Sequence, residues 1–243
     1  KSAGIPAATW ASGGDLNTAK GYMAGAGTTN SAILSIGGYS TTALAEVESY
    51  NGSTWTEIAD INTARYMRGG AGIQTAALSW GGIPATADTE SWNGSSWTEV
   101  NNLNTARYRM GGSGLYTSAV AAGGETPPGG SVTNSETWDG TNWTETSEIN
   151  TGRNGGAQSG NSNTSAIYFA GEIPGSGITN KAEQWDGSSW TEVGDMNTAR
   201  YVPQGGGASN TSGLCFGGYS GSNETKIESY NGSSWTEVND LNR

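Results

Sequence analysis

Basic residues recur at one position of a repeated sequence pattern, and together they could bind an anion. This position is occupied by Lys20, Arg65, Arg107, Arg153 and Arg200. An Arg side chain offers a planar fork of donors that matches a carboxylate or a phosphate, so a ring of these cations is one hypothesis for a ligand site. The alternative is structural, because repeated Glu residues could pair with each cation, and ion-pair networks resemble binding sites. We favour structural pairing and keep the ligand site as a hypothesis.

Three tyrosines directly after the basic position are also candidate ligand-binding residues. They are Tyr66, Tyr108 and Tyr201. Aromatic rings contact sugars and partner proteins, but aromatics at regular positions also pack between structural units. Most of the ten Trp residues recur at two fixed positions of the pattern, so we expect them to form the core.

The composition excludes several kinds of catalysis. The sequence contains no His, which removes Ser-His-Asp triads, Cys-His dyads and sites where His binds zinc, copper or non-haem iron. Every repeated Glu has a structural explanation, so no pair of carboxylates for glycoside hydrolysis can be identified. We therefore expect no enzyme activity, no metal and no cofactor. The alternative is a glycan-active hydrolase or lyase that uses a carboxylate and a Tyr near a central channel.

Charge and hydropathy restrict the partners. The chain has 22 Asp and Glu against 11 Lys and Arg, a formal charge of −11, which repels nucleic acid and anionic lipid. No apolar run approaches the roughly 20 residues that span a bilayer. The single Cys215 reads as a buried strand residue and does not identify the redox compartment. We expect a monomer that binds neither nucleic acid nor membrane, in an extracellular or virion-surface setting.

One sequence pattern repeats along nearly the whole chain, and such periods indicate solenoids or propellers. Each repeat opens on an Asn, and successive intervals are 45, 42, 46, 47 and 45 residues. The opening residues are Asn17, Asn62, Asn104, Asn150, Asn197 and Asn242. They divide residues 17–242 into five units, which are 17–61, 62–103, 104–149, 150–196 and 197–242.

Each unit is predicted to contain four short strands, a to d. Strand a is Gly-rich, as in Met67–Gly72, and strand b is the most apolar, as in Thr75–Gly81. Strands c and d alternate around Glu-x-Tyr/Trp and Trp-Thr-Glu, and Asn-Gly or Asp-Gly joins them in all five units, which is a strong hairpin signal. The predicted fold class is therefore all-β, a five-bladed β-propeller of four-stranded antiparallel blades.

The order of these features resembles the kelch repeat. A basic residue, a Gly-Gly pair after an apolar strand, Glu-x-Tyr/Trp and a later Trp follow one another over residues 17–242. The units are slightly shorter than the usual kelch repeat, and the fourth has Ala170-Gly171 in place of Gly-Gly. The resemblance implies a β-propeller and no single activity, because propellers carry many functions. The size and blade number are also similar to those of a five-bladed animal lectin, although the repeat motif differs.

Residues 1–16 contain a degraded sixth copy of strand d. Trp10 precedes Asn17 by seven residues, as every strand-d Trp precedes its Asn, so residues 8–14 are predicted to be an extra strand. This strand could complete the last blade as a clasp, or it could be left from a longer array. The last blade already has its own strand d, so we favour a loosely held terminal strand.

The two faces of the predicted ring differ in sequence variability. The d-to-a and b-to-c connections lie on one face, where the b-to-c loops vary in length, whereas the Asn-Gly turns lie on the other face and do not vary. The variable loops are Tyr39–Ala45, Ile83–Thr89, Glu125–Asn134, Glu172–Lys181 and Tyr219–Lys226. Loops on a rigid scaffold commonly carry binding residues.

The resulting hypothesis is a non-catalytic propeller whose variable-loop face binds a protein or a glycan, as a receptor-binding or adhesive module. One alternative is the glycan-active enzyme described above. Another is a purely structural repeat module of viral or designed origin, which the closeness of the copies would suit.

Overall fold

The computed structural model describes residues 10–241, which form strands and turns and contain no helix. Of the 22 strands, 20 form five four-stranded antiparallel sheets, and the other two form a small hairpin. Each sheet corresponds to one sequence repeat, so the predicted fold class is confirmed: the chain is a five-bladed β-propeller. No helix in the described range is long and apolar enough to cross a membrane.

The blades follow one another in chain order. Blade 1 comprises β1 (Ala24–Thr29), β2 (Ala32–Tyr39), β3 (Ala43–Tyr50) and β4 (Trp55–Ile58). Blade 2 comprises β5 (Gly69–Ile73), β6 (Ala76–Trp80), β7 (Thr89–Trp92) and β8 (Trp97–Val100). Blade 3 comprises β9 (Gly111–Leu115), β10 (Ser118–Ala122), β11 (Ser135–Trp138) and β12 (Trp143–Glu145).

The last two blades continue the same order, with one addition. Blade 4 comprises β13 (Ala157–Ser162), β14 (Ser165–Phe169), β17 (Ala182–Trp185) and β18 (Trp190–Glu192). Its b-to-c loop carries the small hairpin of β15 (Glu172–Ile173) and β16 (Gly177–Ile178). Blade 5 comprises β19 (Gln204–Ser209), β20 (Ser212–Phe216), β21 (Ile227–Tyr230) and β22 (Trp235–Val238).

The Asn-Gly and Asp-Gly turns close the outer hairpins. In blade 1 the Oδ1 atom of Asn51 accepts hydrogen bonds from the N–H groups of Ser53 (3.0 Å) and Thr54 (2.9 Å). Gly52 has a φ of +93°, a left-handed conformation that Gly adopts freely because it has no Cβ. Asp186 forms the same turn in blade 4, where hydrogen bonds from backbone N–H groups lower its pKa to about 2.

Trp residues fill the space between blades, as their regular positions predicted. Trp143 of blade 3 packs on Trp80 of blade 2 with ring centroids 5.0 Å apart, and its Nε1–H donates to the Oγ1 atom of Thr89 at 3.0 Å. Trp235 of blade 5 packs on Phe169 of blade 4 at 4.9 Å. These contacts make the interface between neighbouring blades apolar and tightly packed.

Two strand predictions differ from the structure. Strand a of blade 2 begins at Gly69, because Met67 has a φ of +54°, which extended strand backbone excludes. Residues 10–16 form no strand, so the predicted extra strand is absent from the part of the N-terminus that the structure describes. Residues 8 and 9 of that prediction lie outside the described residues, as does Asn242 at the predicted end of the fifth unit.

Candidate functional site

The d-to-a and b-to-c connections meet on one face of the ring, as predicted. The residue after each basic position forms an isolated β-bridge with the first residue of the b-to-c loop in the same blade. In blade 5, for example, the N–H of Tyr201 donates to the carbonyl of Tyr219 at 2.8 Å, and the N–H of Tyr219 donates back at 2.9 Å. These bridges fix the start of every variable loop beside the mouth of the central channel.

Backbone hydrogen bonds join neighbouring blades at the channel mouth. One residue per blade has a φ between +46° and +62° there. These residues are Tyr22, Met67, Arg109, Gly155 and Val202. From Met67 to Val202, each donates its N–H to the carbonyl of its counterpart in the preceding blade, at 2.8 to 2.9 Å. Each inter-blade hydrogen bond offsets the cost of left-handed backbone, which is about 1–2 kcal/mol for a residue with a Cβ.

The five basic residues predicted as a candidate ligand ring are fully or almost fully buried and paired with strand-c Glu residues. Their side chains are at most 1% exposed. The pairs are Lys20 with Glu48, Arg65 with Glu90, Arg107 with Glu136, Arg153 with Glu183 and Arg200 with Glu228. The structural interpretation is therefore confirmed, and each pair lies within a single blade. This burial leaves the cations no open surface toward the channel mouth, so the site described below does not include them.

These buried cations instead hold the variable loops in position. Arg107 donates through Nη1 to the carbonyls of Gly123 (2.8 Å) and Asn134 (2.9 Å), which lie at the two ends of the b-to-c loop of blade 3. Its Nη2 donates to Oε1 of Glu136 at 2.7 Å. Burial lowers the pKa of Arg107 below its usual value, and the attraction of Glu136 only partly opposes this effect. The loop therefore starts and ends on one fixed guanidinium group.

The Glu partner also fixes the d-to-a connection. Oε2 of Glu136 accepts hydrogen bonds from the backbone N–H (2.7 Å) and from Nδ2 (2.9 Å) of Asn104, the residue that opens the repeat. The same Asn-to-Glu bonds occur in all five blades. One Asn, one cation and one Glu thus link both connections of the variable-loop face to strand c.

Four of the five blades carry tyrosines beside the channel mouth on this face, and we call these tyrosines the tyrosine collar. The collar consists of Tyr22, Tyr39, Tyr66, Tyr108, Tyr201 and Tyr219. The ring of Tyr66 lies 4.9 Å from that of Tyr39 and 6.4 Å from that of Tyr22, measured between centroids. Tyr22 and Tyr39 are 49% and 37% exposed. Blades 1 and 2 therefore present a cluster of accessible aromatic rings.

Blades 3 to 5 add polar groups to the collar. The Nη1 atom of Arg109 lies 2.9 Å from Oε2 of Glu125, and the Cζ atom of Arg109 lies 5.7 Å from the ring centroid of Tyr108. The hydroxyl of Tyr201 donates to Oδ1 of Asn154 at 3.2 Å. The side chains of Arg109 and Glu125 remain 30% and 16% exposed, so this ion pair is accessible to a partner.

The phenols of Tyr108 and Tyr201 are neutral at physiological pH. Burial raises the pKa of Tyr108, and the neighbouring Glu125 raises it further. Burial also raises the pKa of Tyr201, against the lowering effect of Arg109. These hydroxyls therefore serve as hydrogen-bond donors and acceptors, and their raised pKa values oppose ionisation to phenolates.

The three tyrosines that the sequence predicted as ligand-binding residues all lie in this collar. They are Tyr66, Tyr108 and Tyr201. Comparing the five repeats did not predict Arg109, because the equivalent position in the other blades holds unrelated residues. These are Tyr22, Met67, Gly155 and Val202. A charged residue at a position that is otherwise uncharged was the signal available in the sequence.

The central channel below the collar has a cavity volume of about 1020 Å³. Its lining comes mainly from the Gly-rich inner strands, together with Arg109, Gln158 and Gln204. None of the described lining residues is Asp or Glu. Across residues 10–241, no group of three or more Asp, Glu or Cys side chains is placed to hold a metal ion.

Comparison with known proteins gives no family assignment. The sequence matches no protein-family model, and it has no significant match among curated proteins. The fold and its geometry therefore define the class of protein: a five-bladed β-propeller with an aromatic collar on its variable-loop face.

Proposed function

We propose that this propeller is a non-catalytic binding module that recognises a protein or glycan partner through its variable-loop face. The observation that carries the proposal is the tyrosine collar, which lies beside the channel mouth together with the Arg109–Glu125 ion pair. The repeated pairs of a buried cation with a Glu are present in all five blades, whereas the side chains at the bridged positions of the collar differ between blades. Function thus lies where the repeats diverge.

The chemistry of the collar favours a protein partner over a glycan. Tyr and Arg are enriched at the energetic centres of protein interfaces, because they combine a large contact area with polar groups. The collar supplies both kinds of side chain. The formal charge of −11 would speed association with a basic partner surface, whereas a neutral glycan gains nothing from it.

One feature of the channel and one of the collar weigh against catalysis. The described lining of the channel contains no carboxylate, so a general acid or base of that type has no place beside a substrate in the channel. The raised pKa values of Tyr108 and Tyr201 make both phenols poorer general bases at neutral pH.

We also propose that the repeats are kelch-like. In support, the first Gly of the Gly-Gly pair has a left-handed φ in four blades, between +59° and +64° at Gly37, Gly81, Gly123 and Gly217. Ala170 takes the same conformation in blade 4, with a φ of +62°. The departure from Gly-Gly noted in the sequence is therefore accommodated without a change of backbone.

Selection with two libraries would test the binding function. A displayed random-peptide library and a glycan array are probed with the wild-type chain, and the ligands obtained are then tested on a variant carrying Tyr66→Ala, Tyr108→Ala and Tyr201→Ala. The matched control is Tyr116→Ala, which removes a tyrosine that is 45% exposed in an a-to-b turn on the opposite face. Thermal unfolding of each variant confirms that the ring remains folded.

We expect the collar variant to lose binding at least about 30-fold, since truncation of a hot-spot residue costs about 2 kcal/mol or more. The Tyr116→Ala control should bind as the wild type does. Equal binding by both variants would contradict the proposed site. Turnover of a sugar or ester substrate by the wild-type chain would contradict the non-catalytic function.

A further inference from the structure

The junction between blades 5 and 1 differs from the other four junctions of the ring. Each of the inner strands β5, β9, β13 and β19 packs against the inner strand of the preceding blade. Among the described residues, β1 and β19 lack comparable packing. Phe216 and Leu214 of β20 are correspondingly half-buried. We call the space between blades 5 and 1 the seam.

The backbone bonds that cross between blades also stop at the seam. The series described above, in which an N–H at the channel mouth donates to the preceding blade, has four members. Within the described residues, no bond joins the N–H of Tyr22 to the carbonyl of Val202. A second series connects the last Gly of the Gly-Gly pair to the basic residue of the next blade, as Gly82 connects to Arg107 at 3.0 Å. In the part of the chain that the structure describes, this series has no bond from Gly218 to Lys20.

The surroundings of one Gly position on strand a also differ at the seam. A Cβ atom built on Gly70 would lie 2.9 Å from the Cβ of Ala24 in the preceding blade, and one built on Gly112 would lie 2.7 Å from Trp80. Gly25 occupies the same position in blade 1. Its nearest neighbour would be a carbonyl of its own blade, at 3.9 Å. Among the described residues, no other blade therefore packs against Gly25, unlike its counterparts in blades 2 and 3.

The chain shows which chemistry covers the exposed face of blade 5. In the closed junctions, the strand-d Trp of the next blade covers the end of strand b, as Trp235 covers Phe169 at 4.9 Å. In blade 5 the corresponding Phe216 meets Trp10, at 5.8 Å between ring centroids. Trp55, the strand-d Trp of blade 1, instead donates its Nε1–H to the carbonyl of Gly14 at 3.0 Å. The Trp10 segment thus takes the place of a neighbouring blade.

We propose that the seam is the docking site for one further blade with the sequence of this repeat. A copy of blade 2 illustrates the fit. Its Arg65 carbonyl would accept from Gly218, and its Met67 would bond through N–H to Val202 and through its carbonyl to Tyr22. Its Trp97 would take the place of Trp10 on Phe216. The amides of Tyr22 and Gly218 and the carbonyl of Val202, which lack these bonds within residues 10–241, thus acquire the partners that their counterparts have at the other junctions.

Insertion of a sixth repeat tests this proposal within the full chain. A copy of residues 62–103 is placed between Leu16 and Asn17, and amide hydrogen exchange is measured by NMR in the native and the six-repeat chains. In the native chain, the amides of Tyr22 and Gly218 should exchange rapidly. In the six-repeat chain, we expect both to become protected by about 100-fold, as bonded amides of a packed element are.

The Trp10 contact supplies a second measurement. Trp10→Ala should lower the melting temperature of the native chain by about 3 °C, from the size scaling of small destabilisations. The same change should have no effect in the six-repeat chain, because the inserted Trp then covers Phe216. The matched control carries Trp97→Ala in the inserted copy alone, and there the sensitivity to Trp10→Ala should return.

Three results would overturn the proposal. The first is protection of the Tyr22 and Gly218 amides in the native chain to the level of Met67 and Gly82, since the ring would then be closed. The second is an inserted copy that proteases remove while both amides still exchange rapidly. The third is protection that rises with the concentration of the native chain, since the seam would then hold a second whole chain.

Discussion

Replacing Glu136 with Gln tests whether the buried ion pairs are scaffold. Glu136 is fully buried and accepts hydrogen bonds from Arg107 at 2.7 Å and from the backbone N–H and Nδ2 of Asn104 at 2.7 and 2.9 Å. Gln keeps the shape of the side chain but removes its charge, which leaves the Arg107 guanidinium buried without a counter-ion. Breaking a buried pair in this way costs about 3–5 kcal/mol.

The free energy of unfolding is measured by guanidinium chloride denaturation, followed by Trp fluorescence and circular dichroism. The expected loss corresponds to a fall in melting temperature of roughly 10 °C for a chain of this size. Glu99→Gln is the matched control, because Glu99 lies opposite the equivalent Glu90 in blade 2, is exposed and does not belong to the blade of Arg107. A surface change of that kind stays within about 0.5 kcal/mol.

A double variant separates lost pairing from lost shape. The double variant Glu136→Gln, Arg107→Met removes both buried charges. Its loss in the free energy of unfolding should therefore be smaller than the sum of the losses in the two single variants. Additive costs would show that the two charges do not interact. A loss below about 1 kcal/mol for Glu136→Gln alone would refute the structural role assigned to these pairs.

Three further predictions concern single side chains. Arg68→Met should raise the melting temperature by several degrees, because the buried guanidinium of Arg68 has no hydrogen-bond partner among the described residues and such a group destabilises the fold. Met110 already fills the equivalent position in blade 3. An unchanged or lower melting temperature would contradict this prediction. The free energy of unfolding should fall as the pH drops from about 4 to 2, because the folded chain lowers the pKa of Asp186 to about 2 and loses this stabilisation when the carboxylate is protonated. Asp186→Asn should remove part of that fall. Asn93 forms this turn in blade 2, so the same variant should match the wild type at pH 7. Cys215 should not react with a thiol reagent until the chain unfolds, because burial raises its pKa to about 12.

Much of the fold could be predicted from the sequence because each blade repeats the same local chemistry. The Asn-Gly dipeptides specify the outer hairpins through φ values that Gly permits, and recurring Trp residues indicate packing between blades. The pairing of Arg107 with a Glu was also predictable from repeated opposite charges. All three inferences depend on features that five copies share.

Tyr66, Tyr108 and Tyr201 share one repeated position, but the rest of the collar and the seam depend on features that the copies do not share. Arg109 occupies a position that holds four different residue types elsewhere, so no repeat pattern marks it as functional. Left-handed residues such as Met67 turn the backbone next to the collar, and hydrophobic periodicity does not reveal that turn. The open junction follows from contacts between the first and last blades, which lie far apart in sequence.

The central claim is that the variable-loop face carries the function. Hydrogen–deuterium exchange of the chain with and without a peptide selected on the wild type tests it most directly. We predict that the ligand protects the variable loops and the segments around Tyr66, Tyr108 and Tyr201, while the Asn-Gly turns exchange as before. Protection confined to the Asn-Gly turns would contradict the claim.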